Sequence, residues 1–246
     1  VTAEPGAAAA SRTRLRIASY NTRDFLDDRR AAARVVRAIA PDVLCLQEVP
    51  RRPFSSMRVR RFAAECAMSW PGRHRGSGGT TVFTGERVSV LSARHARLSV
   101  ALAARTRGYA VVRVRPTAQA DPVAGTGADP LTVVSVHLSL DAGERHAHTR
   151  TILDDVVAEG GGPGRIVLAG DLNEPRSGSA FALLESRLRL VSPDAPTYPA
   201  RRPRTVLDVI LAAPDVEVLE HRPLALDEAD VVAASDHRPV WADILV

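Results

Sequence analysis

Lysine is absent: all 33 basic residues of the 246-residue chain are arginines, and with 28 acidic residues they leave a formal charge of +5. A P-loop needs that lysine as well as a fixed glycine spacing, so Gly160-Gly161-Gly162 reads as a turn. Cysteine is scarce. Cys45 and Cys66 lack the paired spacing of a structural zinc site. Cys45 sits in the apolar run Val43-Leu44-Cys45-Leu46 and reads as a small buried hydrophobe, with a disulfide to Cys66 left open. Aromatic residues are only 4% of the chain, which leaves no stacking platform for bases and assigns the core to Val, Leu, Ala and Ile. No apolar run approaches the roughly 20 residues that cross a bilayer, so stable membrane insertion is not expected.

What is present fits one large α/β domain. Hydrophobic residues make up 45% of the chain, enough for a packed core. The Ala/Arg bias reads as compositional drift more than as adaptation to nucleic acid, although a basic surface does favour polyanions. Residues 1–12 read as a disordered lead-in, compatible with a cytoplasmic protein or with one secreted after signal cleavage.

Strand-like and helix-like segments alternate. Leu15–Tyr20 is β-prone and ends at Asn21. Ala32, Val35, Val36 and Ile39 mark an amphipathic helix stopped by Pro41, and Val43–Gln47 is a buried strand with Glu48 at its end. Helices are predicted over 58–68, 144–159 and 179–188. Strands are predicted over 80–84, 88–91, 109–114, 131–138, 165–169, 206–211, 216–219 and 240–246. Pro116–Pro130 reads as a surface loop and Gly76–Gly79 as a turn. Such alternation places polar groups where strands end.

Those ends carry Asn21, Glu48, His137, Asp171 with Asn173, Asp208, and Asp236 with His237. Singly, each is explained by a turn or a cap. Their repetition at separate strand ends points to one cleft. Glu48, Asp171 and Asp236 are hard oxygen ligands, and Asn21 and Asn173 are neutral oxygen donors. Magnesium takes such a set, with manganese as a substitute. Such an ion neutralises charge that builds on a phosphoryl group, while His137 and His237 titrate near neutrality.

Six segments resemble one known family, in its order. They are Ser19-Tyr20-Asn21, Leu46-Gln47-Glu48, Ser135-Val136-His137-Leu138, Gly170-Asp171-Leu172-Asn173, Leu207-Asp208 and Ser235-Asp236-His237. The chain resembles the endonuclease/exonuclease/phosphatase superfamily across nearly its whole length. The resemblance implies a four-layer sandwich, two mixed β-sheets face to face between helices, formed by residues 13–246. It implies metal ligation by Glu48, with Asn21 and Asp236 assisting. Asp171 would orient or deprotonate the attacking water, and Asn173 would contact phosphate or a second metal. His237, paired with Asp208, would lie beside the scissile phosphate, and His137 would be the second histidine, which steadies the phosphate or protonates the leaving oxygen. Two positions depart from the pattern: Val209 follows Asp208 where an aromatic or His is common, and Arg23 stands where some repair nucleases carry an acid.

A phosphate-ester substrate is therefore expected, with nucleic acid among the candidates, and the enzyme is expected to act as a monomer without a protein partner. A nuclease-type phosphodiesterase ranks ahead of a small-molecule or sugar phosphate phosphatase, and that ahead of a phospholipase-type phosphodiesterase. A non-catalytic binding module on the same fold would lack the metal glutamate or the Asp–His pair, and both are present. Arg201, Arg202 and Arg204 follow Thr197-Tyr198-Pro199, a segment that resembles an active-site border, and are candidates to grip substrate. His74, His95, His146, His148 and His221 match no motif and are expected on the surface or in loops.

Overall fold

Alternation within single strands sets the layering. In β1 (Arg14–Asn21), Leu15 and Ile17 enter one core, while Ala18 and Tyr20 enter a second on the opposite face. β2 (Val43–Gln47) repeats the split, with Val43 and Cys45 on the first side and Leu44 and Leu46 on the second. Strands that are apolar on both faces must be covered on both.

A computed structural model describes residues 13–51, 54–72, 76–102, 105–118, 120, 129–159 and 165–246. The lead-in at 1–12, His74, residues 119 and 121–128 of the expected loop, and the glycine run at 160–164 lie outside the described residues. β1 and β2 join β3 (Thr81–Thr84), β10 (Glu217–Val218) and β11 (Val240–Leu245) in a five-stranded sheet ordered β10-β11-β1-β2-β3. β4 (Val88–Leu98), β5 (Arg107–Pro116), β6 (Leu131–His137), β7 (Ile166–Asp171), β8 (Arg189–Leu190) and β9 (Asp208–Ala212) form a second sheet, ordered β4-β5-β6-β7-β9-β8. Both are mixed, because β1–β2 and β6–β7 are parallel pairs among antiparallel ones. The first core lies between the sheets and extends to α3 (Ala142–Glu159) and α4 (Ser179–Glu185). The second packs the five-stranded sheet against α1 (Arg29–Ile39), α2 (Ser55–Glu65) and α5 (Glu228–Ala234). The result is the four-layer sandwich.

Local chemistry explains the element ends. The Asp28 side chain accepts the backbone N–H groups of Arg30 and Ala31 to start α1, and Ala40, at φ 50°, closes it before Pro41. The sequence did not predict β8, α5 or a short 3-10 turn at Arg23–Phe25. Only Val231 and Ala234 are buried on α5, too few to print a helical period. β4 continues to Leu98 instead of ending near Leu91, since an edge strand bonded only to β5 can carry Arg94, His95 and Arg97 without an apolar alternation. His148 is a correction as well: it is buried on α3, with Nε2 2.6 Å from the Ser99 carbonyl oxygen. Cys45 and Cys66 are both buried and free. Among the described residues no helix is long and apolar enough to cross a membrane.

One ion pair ties the first strand to the last. Asp243 on β11 is buried and accepts from Arg14 at 2.6 Å and from Arg16 at 2.8 and 3.0 Å. Burial pushes its carboxyl up, but the two guanidinium groups outweigh that and hold it below the usual carboxylate range. Asp243→Ala should therefore cost about 2 kcal/mol at pH 7, because the partly exposed Arg14 and Arg16 lose their charged acceptor. A depressed folded pKa gives stability that is present above the unfolded value of about 3.9 and lost as pH falls through the folded one. Urea midpoints of Asp243→Asn and wild type should accordingly converge toward pH 3. A gap that stays constant on acidification would remove the ion pair as its cause.

Candidate active site

Strand pairing draws the polar strand ends to one rim. His137, Asp171 and Asp208 form a row across β6, β7 and β9, each paired with the next in register. Gly170 lets the row close up, because a Cβ there would stand 2.0 Å from the Val136 carbonyl oxygen. From the other sheet, Asn21 lies one face with Ser19, whose hydroxyl reaches Gln47. Gln47 in turn donates to Ser135 at 3.2 Å, and Asn21 Nδ2 donates to Asp171 at 3.0 Å, so polar contacts bridge the two sheets at this rim.

Glu48 is aimed by its backbone. Strand parity would turn it toward Leu44 and Leu46, yet φ of 51° at Glu48 swings the side chain back to Asn21 Nδ2 at 3.4 Å and His137 Nε2 at 3.8 Å. Beside it, Arg23, Asp24 and Phe25 take φ of 45°, 55° and 55°, a left-handed turn without glycine. Such residues cost about 1–3 kcal/mol each and persist where their surroundings fix them. Here the Asp24 N–H donates to the Glu48 carbonyl at 2.6 Å and the Arg23 N–H to Asn21 Oδ1 at 3.0 Å.

Charge is distributed unevenly along the row. Asp171 is buried, and burial followed by the neighbouring Asp208 charge raises its carboxyl to about 7, against the pull of His237 and the hydrogen bonds from Asn173 N–H and Asn21. His237 Nδ1 lies 2.8 Å from Asp208 Oδ2, and its Nε2 lies 3.8 Å from Asp171. Burial alone would lower that imidazole, but the Asp208 carboxylate, by charge and hydrogen bond, lifts it to about 9. His137 goes the other way. Burial first, then the cationic Arg107, push it well below the ordinary histidine value, and Arg107 Nη1 stands 3.3 Å from its Nδ1. Their surroundings thus push the two imidazoles in opposite directions and raise the carboxyl that lies within 4 Å of both.

The flanking loops are fixed to this row. Thr197 Oγ1 donates to Asp208 Oδ2 at 2.6 Å, and the Tyr198 ring packs 4.9 Å from the His237 ring. Ser235 Oγ donates to the Asn21 carbonyl at 2.7 Å, which explains a serine before Asp236 and His237. Asn173 donates its N–H to Asp171 Oδ1 and its Nδ2 to the Leu138 carbonyl, both near 3 Å. Asp236 is half-exposed, with Arg23 Nε at 3.4 Å. Arg201, Arg202 and Arg204 are exposed on the loop beyond Tyr198, with no side-chain contact to the row His137, Asp171, Asp208 among the described residues. Sequence reasoning placed Thr197 only in a border segment, and gave Gln47, Ser135 and Arg107 no role of their own. Each acts through a tertiary contact with no local spacing to reveal it.

The oxygen donors suit a divalent cation. The Glu48 and Asp236 carboxylates are the partly exposed acids here, and their nearest partners stand at 3.4 Å, looser than a normal charge-assisted hydrogen bond. Their lone pairs therefore remain available to a hard ion. The buried group Asp171, Asp208 and His237 also converges, with ligating atoms within 4.8 Å of one another. Its Asp208 Oδ2 and His237 Nδ1 are paired with each other, which suits proton handling, while Asp208 Oδ1 is buried without a hydrogen-bond partner among the described residues.

A sequence profile described as "Endonuclease/Exonuclease/phosphatase family" matches residues 18–237. Among curated proteins no sequence matches the chain. The catalytic domain of human nocturnin, solved with bound sulfate, superposes at TM-score 0.71 with 16% identity, covering 96% of each chain. The structure of ANGEL2, a 2′,3′-cyclic phosphatase, gives TM-score 0.71 at 14% identity and covers 95% of each chain. A mannosyl-6-phosphatase of Bacteroides thetaiotaomicron gives 0.73 at 16% identity, covering 94% of this chain and 100% of its own. At these identities the likeness is one of fold.

Proposed function

Because the chain belongs to the endonuclease/exonuclease/phosphatase family of divalent-metal-dependent phosphoric ester hydrolases, we propose that its six-motif rim hydrolyses a phosphodiester by attack of an activated water, in the manner of a nuclease. The observation that carries the water-activation step is the buried Asp171 carboxyl, 3.6 Å from His137 Nε2 and 3.8 Å from His237 Nε2, which burial raises toward neutrality. A general base works best with a pKa near the operating pH. In this reading Glu48, assisted by Asn21 and Asp236, would hold magnesium, or manganese in its place. When bound, that ion supplies charge neutralisation at a phosphoryl oxygen. Asn21 keeps the Glu48 and Asp171 carboxylates apart and oriented, since its Nδ2 faces both. Asp171 takes the proton of the attacking water. His237, kept cationic by Asp208, gives its Nε2 proton to the leaving oxygen as the P–O bond breaks, and His137 steadies a phosphate oxygen together with Arg107, whose Nη1 stands 3.3 and 3.4 Å from the two ring nitrogens. Asn173 steadies Asp171 through its backbone N–H.

A small-molecule phosphatase is the second reading, favoured by clefts of about 570 and 600 Å³ beside the row, a size that encloses a compact substrate. Product release from plasmid DNA, a phospholipid and a phosphomonoester panel, each with magnesium and with EDTA, separates these possibilities. EDTA-sensitive cleavage of the DNA is expected. Turnover confined to monoesters would replace the nuclease reading with the second, and turnover indifferent to EDTA would end both.

A further inference from the structure

Many arginines of this chain are committed to carboxylates: Arg29 to Glu65 at 2.8 Å, Arg94 to Asp155 at 2.7 Å, Arg145 to Glu174 at 2.7 Å. Three others are not, and they share one place. Arg51, Arg58 and Arg105 line a cleft of about 570 Å³ together with Leu26 and a single acid, Asp24. Among the described residues none of the three forms an ion pair.

Unpaired surface arginines are usually a solvated face. Two features set these apart. The first is that two of the side chains are held. The Arg58 guanidinium lies over the Phe25 ring, 5.9 Å from its centroid, and Phe25 is itself packed 4.6 Å from Phe62. Arg51 runs over Gly79, where a Cβ would stand 3.3 Å from Arg51 Cδ. Ordering already present in the free protein is not lost on binding.

The second feature is continuity with the catalytic row. Asp24, on the cleft wall, donates its N–H to the Glu48 carbonyl. Arg105 also lines the adjoining cleft with Arg107, the guanidinium that touches His137. After the larger effect of burial, positive charge from Arg51 and Arg105 lowers both Arg107 and His137, so all four share one field.

We propose that Arg51, Arg58 and Arg105 form an anion subsite for a phosphate flanking the scissile one, so that the preferred substrate carries at least two phosphates. The proposal rests on the phosphoesterase reading of the row beside it. A guanidinium binds a phosphate through paired N–H donors, and three around one cleft exceed what a single scissile phosphate, already faced by Arg107, can occupy. A polynucleotide backbone supplies the flanking phosphate, and so does a polyphosphorylated small molecule.

Calorimetric titration in EDTA tests the subsite without turnover. The probes are the thymidine dinucleotide TpT against its 5′-phosphorylated form, and a hexose monophosphate against the 1,6-bisphosphate. Wild type should prefer the second phosphate by about tenfold or more. Arg51→Gln/Arg58→Gln/Arg105→Gln should lose that preference, whereas Arg30→Gln/Arg187→Gln/Arg222→Gln, which removes equal charge elsewhere, should keep it. A preference confined to the hexose pair supports the subsite and assigns the flanking phosphate to a small molecule. No preference in wild type, one that survives the first triple variant, or one lost equally in both, overturns the proposal. Metal-dependent turnover is measured separately, so the catalytic reading stands or falls independently.

Discussion

Asp171→Asn should lower turnover by about 10³- to 10⁴-fold with the fold intact, the upper part of the range for losing a positioned base. The substitution preserves shape in a site with no spare room. Asp171 is 1% exposed, and its two oxygens already accept from Asn173 N–H and Asn21 Nδ2. Asparagine keeps one acceptor oxygen and cannot take a proton from water. It also removes a buried carboxyl that sits beside Asp208, so the thermal midpoint should hold or rise. The combination is diagnostic: a group retained for chemistry at the expense of stability gives lower activity and an equal or higher melting temperature. Activity within a few-fold of wild type would show that another group activates the water.

Glu48→Gln carries the second large effect, on metal affinity. Glu48 keeps a partly exposed carboxylate with no partner closer than 3.4 Å, at a backbone angle that only a local requirement justifies. Glutamine preserves the contact to Asn21 through its carbonyl and deletes the charge. Magnesium affinity by calorimetry should fall by more than the roughly 10- to 100-fold that outer-sphere changes cost, with turnover falling alongside. Excess magnesium should restore part of the turnover in Glu48→Gln and none in Asp171→Asn, which separates loss of the ion from loss of the base. An affinity equal to wild type would take Glu48 out of the ligand set.

The sandwich was legible in the sequence because its strands are short, apolar on both faces, and end in a polar residue. Val43–Gln47 followed by Glu48 shows all three traits, and its bounds agree with the structure. The row His137, Asp171, Asp208 was legible for the same reason, as a polar residue at a strand terminus is an anomaly that local pattern reveals. Elements stabilised by tertiary contact were not. α5 offers two buried residues, and the turn at Arg23–Phe25 is left-handed without a glycine to announce it. Arg107, with Gly108, bears only a weak likeness to a family position in the sequence, and it is strand pairing that sets it against His137. The arginine cleft depends on side chains from α2, from the segment after β2 and from the segment before β5, which no window of sequence joins.

The alternation of faces along each strand constrains how this chain can vary. Deleting one residue within β7 would shift Asp171 from the cleft to the helix-covered side and carry its apolar neighbours the opposite way. Substitution at Val167, Leu168 or Ala169 is far less disruptive, as those positions ask only for apolar volume, whereas Gly170 is fixed by the close approach of Val136 and Asp171 by its place in the row. Insertions and deletions are therefore confined to the connections, where a longer loop costs little. Within the strands, register permits identity to drift but not length. That is how proteins of 14–16% identity can share nearly all of this fold.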